Sequence, residues 1–74
     1  PASDLLNLDV QFSSSDNITV EIFDLNGQLI ESASKQNITS AQFQFSLSNY
    51  AAGVYVLKLK NSNETELHRV SIQR

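Results

Sequence analysis

His68 is the only histidine in the chain, and there is no cysteine. Any nucleophilic chemistry would have to join that imidazole to one of the serines, with Asp24 or Asp9 as the orienting acid. The neighbours of His68 in sequence are Leu67 and Arg69, and no spacing suggests that a serine, the histidine and an aspartate meet. These residue types occur together in almost any chain, and only their geometry is informative. No catalytic residue is assigned, and His68 is expected on a strand face or at the surface.

The stretch SSSDN, residues 13–17, offers one carboxylate and several hydroxyls, short of the roughly six to eight hard oxygen ligands that calcium takes. It reads as a polar turn. Without cysteine, and without repeated histidine or acidic spacing, no metal, cofactor or disulfide staple is expected, and the apolar core must carry the fold by itself. Three Asn-x-Thr sequons, at Asn17, Asn37 and Asn63, are glycan acceptors only in a eukaryotic secretory pathway. Asparagine leading into a threonine-containing strand is also ordinary loop-to-strand grammar, and that reading is preferred.

With 74 residues there is room for one domain, which buries only about 60% of its unfolded surface. The start PASDLL lacks the basic and apolar segments of a signal peptide, and no apolar run approaches the length of a membrane span. The chain reads as a soluble piece of a longer protein, with no direct membrane insertion expected. Its net charge of −3 hides an asymmetry: residues 1–34 carry six acidic groups and no Lys or Arg, while residues 35–74 carry five basic groups and two acidic ones. An acidic first half and a short basic second half do not suit nucleic acid, whose phosphates call for a continuous basic face.

The elements that would hold these groups follow a period of two. Leu6, Leu8 and Val10 alternate with polar residues, as do Ile18, Val20 and Ile22, and again Phe43, Phe45 and Leu47; this is the pattern of antiparallel strands with one wet face. No segment shows helical spacing. In VYVLKLK, Tyr55, Leu57 and Leu59 alternate against Val54, Val56, Lys58 and Lys60. In the last run Leu67 is out of phase with Val70 and Ile72 by one residue, which predicts a bulge or strand break near His68 and Arg69. Polar loops are expected at 13–17 and 61–64, with a connection at 35–41. The expected strands are 5–10, 17–24, 28–34, 42–47, 54–60 and 65–73. Six or seven short strands suit an all-β, immunoglobulin-like antiparallel β-sandwich, with a small barrel as the rival.

The two glycines mark the sharpest local signals. In DLNG, Asp24 can accept backbone N–H bonds and Gly27 can supply the positive φ that closes a three-residue hairpin loop. In NYAAGVYVLKL, Gly53 permits a tight bend between sheets. Tyr55 then follows at the start of a strand, where its hydroxyl can fold back onto upstream backbone while its ring fills the core.

Taken in order, PASDLLNLDV, VEIFDLNGQLI, LSNYAAGVYVLKL and ETELHRVSIQR give the chain a resemblance that no one motif carries. It resembles the C-terminal sorting domain of type IX secretion (Por secretion system) cargo proteins of Bacteroidota, over essentially all of its length. The resemblance implies a single non-catalytic signal domain, residues 1–74, that follows an N-terminal cargo domain. It implies recognition by the outer-membrane translocon after passage through the periplasm. It further implies cleavage by a surface sortase-like protease, with the cargo anchored at the cell surface or released outside the cell. The family's structural motifs fall on Pro1, Ala2, Asp4, Asp24, Gly27, Gly53 and Tyr55, and its terminal motif on Lys58, Arg69, Val70, Ile72 and Arg74. The terminus departs from the family pattern, since Ser71 interrupts the final aliphatics, and Tyr50 stands where leucine is usual.

The charge asymmetry then has a role to fill. Arg69 and Arg74, beside Lys58 and Lys60 of the preceding strand, would place positive charge along an exposed edge able to pair with a receptor strand. Such an edge can equally pair with another copy of the chain. The alternative reading is an adhesion or carbohydrate-binding sandwich of an extracellular enzyme, for which Phe23 and Tyr50 would be the stacking residues.

Overall fold

The computed structural model describes residues 5–73, so Pro1, Ala2, Asp4 and Arg74 lie outside the described residues. Four strands run β1 (Leu5–Phe23), β2 (Leu29–Ser46), β3 (Gly53–Lys60) and β4 (Thr65–Ile72). They form one antiparallel sheet in the order β2-β1-β3-β4. The β2–β3 connection therefore crosses from one edge of the sheet to the far side of β1, and β4 closes the order as the opposite edge.

The chain is all-β, and every segment expected to be extended lies in a strand except for the end residues Asp24, Gln28, Leu47 and Gln73, but the six expected strands run as four. The segments expected as a loop at 13–17 and as a connection at 35–41 lie inside β1 and β2. Their serines and asparagines mark bulges. Between the pairs Gln11↔Ser40 and Asp16↔Ile38, β1 advances five residues while β2 advances two; by Ile18↔Lys35, β2 has regained one. Asn37 takes a left-handed φ of 54°, a conformation asparagine tolerates, and its N–H donates to Asn17 Oδ1 at 3.0 Å. A short polar side chain thus supplies the partner that the interrupted ladder does not.

The bulges let both halves of the long hairpin serve one core. Phe43 and Phe45, beyond the bulge in β2, belong to the same buried cluster as Ile18, Val20, Ile22, Tyr55, Leu57 and Ile72. Leu6, Leu8, Val10 and Phe12 pack against that cluster from the first half of β1. Val20 is fully buried; burying an aliphatic or aromatic side chain contributes about 1.5–3 kcal/mol, so these few residues supply much of the drive to fold.

The expected bulge near His68 and Arg69 is absent. The β3–β4 ladder runs in unbroken register from Gly53↔Ile72 to Lys60↔Thr65. Leu67 is out of phase because it lies on the outer face of the sheet, opposite Lys58, and it is 67% exposed. The one-residue offset records a change of face, not a change of register.

Candidate functional site

The β3–β4 hairpin carries the basic residues of the second half. Alternation puts Lys58, Lys60 and Arg69 on the outer face, where Arg69 pairs in register with Val56 and Lys58 with Leu67. Lys60 and Arg69 are exposed and Lys58 is half-buried. Val70 and Ile72 point the other way, Val70 half-buried against the core and Ile72 within it. Of the terminal residues singled out from sequence, the structure therefore brings the cations together on one surface and sets the aliphatics beneath it. Arg74 lies outside the described residues. β4 pairs with β3 alone among the described strands, so its second row of backbone N–H and C=O groups faces away from the sheet, as an edge able to accept a further strand.

Two local devices fix this hairpin. At the first residue of β3, Gly53 has φ 149°, in the region that L residues rarely adopt. The hydroxyl of Tyr55 donates to the carbonyl oxygen of Ala51 at 2.7 Å, so a largely buried ring keeps its polar tip satisfied. The ring packs at 5.2 Å on that of Tyr50, and the Tyr50 hydroxyl donates to Glu31 Oε1 at 2.7 Å. Burial, and then the Glu31 carboxylate, push the Tyr50 phenol above its ordinary pKa. The β2–β3 connection is in this way tied to β2 and to the core.

The second device lies at the tip. Asn61 Oδ1 accepts the N–H groups of Asn63 and Glu64, and the Asn61 N–H donates to the Glu64 carbonyl at 2.9 Å. Ser62 donates to Asp16 Oδ2 at 2.9 Å, pinning the tip to the β1 bulge. The Asn17 N–H and the Ser62 hydroxyl hold the Asp16 carboxyl below the usual carboxylate range. Within the 13–17 stretch, Asp16 Oδ2 and Asn17 Oδ1 are thus engaged in joining elements.

The β1–β2 turn follows its expected chemistry. Asp24 Oδ1 accepts from Asn26 N–H at 2.9 Å and Gln28 N–H at 3.0 Å, the Gly27 N–H donates to the Asp24 carbonyl, and Gly27 sits at φ 84°.

His68 is exposed beside Glu66, with Nε2 3.3 Å from Oε1. Among the described residues, no group of three His, Asp or Glu is arranged to hold a metal, and no helix is long and apolar enough to cross a membrane. Phe23 and Tyr50 do not form a common platform: Phe23 is on the outer face beside Val56, while the Tyr50 ring is against Tyr55.

Sequence reasoning overlooked an apolar row on the outer face. Leu29, Phe23 and Val56 lie side by side across β2, β1 and β3, and Arg69 extends the row onto β4. The out-of-phase Leu67 was the signal that this face is not wholly polar.

A protein-family model described as the secretion system C-terminal sorting domain matches residues 1–73. No curated protein matches the chain.

Proposed function

The chain belongs to the family of type IX secretion C-terminal sorting domains, and from that premise we propose that it is a non-catalytic address, read by the translocon at the β3–β4 hairpin. The match over residues 1–73 carries this reading. As a sorting domain it directs export to the cell surface or the extracellular space. The further steps are part of the proposal: an N-terminal cargo domain travels with it through the periplasm, a surface sortase-like protease separates the two, and the cargo is then anchored or released.

The edge of β4 and the cations above it support recognition there. A receptor strand added to β4 would gain main-chain hydrogen bonds along eight residues, while Lys58, Lys60 and Arg69 would favour an acidic partner. Val70 and Ile72 contribute by seating the strand, since their side chains face the core. The immunoglobulin-like sandwich is the corresponding reading of the fold, with the two layers coming from one sheet folded at its bulges; the single core cluster drawn from both halves supports it.

The test is export of a reporter fused ahead of the chain, in a bacterium with a type IX apparatus. Removing residues 70–74 is expected to abolish export, but it also strips the core of Ile72. The decisive variant is therefore Lys58→Glu with Arg69→Glu, whose melting temperature reports whether the fold survives. A folded variant exported several-fold less than wild type supports recognition through this face. Export at the wild-type level by that variant sinks it, and failure of the unaltered fusion sinks the sorting role.

A further inference from the structure

The inner face of the sheet carries the core, whereas among the described residues the apolar row Leu29–Phe23–Val56 of its outer face lies outside the core cluster. Phe23 and Val56 are half-buried, and Leu29 is 48% exposed. In the next row along the strands, Glu21 stands beside Lys58. The arrangement is self-complementary under one symmetry operation. Let a two-fold axis run parallel to the strands, above the outer face and midway between β1 and β3. The rotation lays β1 of one copy over β3 of the other, so each β1 residue meets the second copy's equivalent of its own cross-strand partner.

The ladder fixes those pairs. Phe23 faces Val56, Glu21 faces Lys58 and Leu29 faces Arg69, each twice by symmetry. Apolar meets apolar, acid meets base, and the long stem of Arg69 can cover Leu29. Other rotations in the plane of the sheet would lose the double Glu21–Lys58 match. We propose that the outer face is a two-fold contact between two copies of this chain, distinct from pairing at the β4 edge.

Its size sets its strength. Four strands about 4.8 Å apart and about seven residues long give a footprint of roughly 400 Å² per copy, at the small end of protein–protein contacts. The dimer is accordingly weak, forming at high local concentration, and it covers Lys58 and Arg69, so it competes with any receptor that reads those side chains.

Sedimentation velocity of the 74-residue chain at micromolar and millimolar concentration tests this, with two charge variants. Glu21→Lys leaves only lysine at the two central positions and Lys58→Glu leaves only glutamate. Each variant alone is expected to self-associate at least tenfold more weakly than wild type, and an equimolar mixture to recover the dimer as a heterodimer. A wild-type chain that stays monomeric at millimolar concentration overturns the proposal, as does association that neither variant weakens. If a variant does not fold, amide chemical shifts of the wild type on dilution decide. Movement centred on Glu21, Phe23, Val56 and Lys58 supports the face contact, and movement confined to residues 65–72 shows edge pairing instead.

Discussion

The hydroxyl of Tyr55 meets the carbonyl of Ala51 at 2.7 Å across the left-handed bend at Gly53. The bond joins the first buried ring of β3 to the connection that delivers the chain from β2, so it fixes where the hairpin of β3 and β4 begins.

Replacing Tyr55 with Phe keeps the ring and removes the bond. The expected loss is about 1 kcal/mol, or roughly 4–8 °C in melting temperature for a domain of this size. An unchanged thermal transition would show that the bond adds nothing to stability.

At Gly53 an added Cβ would meet nothing within 4 Å, so the cost of a side chain there is one of backbone strain alone. Gly53→Ala should destabilise by about 1–3 kcal/mol, and Gly53→Val by at least as much. Chemical synthesis allows a sharper check: D-alanine at position 53 suits a positive φ and should restore most of the loss. Equal destabilisation by both enantiomers would contradict the strain account.

Asp16 gives an acid-side prediction. Its carboxyl is held below the usual range by Asn17 and Ser62 in the folded chain, so its contribution is present above the unfolded pKa of about 3.9 and disappears as pH falls through the folded value. Asp16→Asn should lower stability at neutral pH, with the difference from wild type shrinking to nothing in strong acid. Denaturant melts at a series of pH values measure this, and a difference independent of pH would count against it.

Tyr50 gives the opposite sign. Its phenol is pushed up by burial and by Glu31, so folding favours the neutral form. The stabilisation is complete below the unfolded pKa of about 10 and is lost as pH rises toward the folded value. Tyr50→Phe should make the alkaline decline in stability shallower; an unaltered decline would mean the Tyr50–Glu31 bond is not what the alkaline range breaks.

The legible parts of the fold were those written in adjacent residues. The Asp24–Gly27 turn, the positive φ of Gly53 and the fold-back of the Tyr55 hydroxyl need only their own backbone and one or two side chains, so composition and order sufficed; the bend between two sheets expected at Gly53 is not seen, since Gly53 pairs with Ile72 as the first residue of β3 in one sheet. The bulges were not legible, because Ser13–Asn17 and Lys35–Ala41 have the same polar make-up whether a chain turns there or continues past an extra residue. Only pairing distinguishes the two. In the candidate site, alternation placed Lys58 and Arg69 in strands without showing that Val70 and Ile72 would face the core; that follows from the register of β4 on β3, which Leu67 appeared to break and in fact obeys.

Ile72 is seated in the core opposite Gly53, so an address read at β4, as proposed, would be coupled to the state of the package. The buried site that holds this last aliphatic of β4 is built from residues of β1, β2 and β3, so it exists only when those strands are in place. A receptor that adds a strand to this edge would pass over a chain whose domain has not closed. Selection for finished molecules would then be built into the act of recognition, with no separate inspection step.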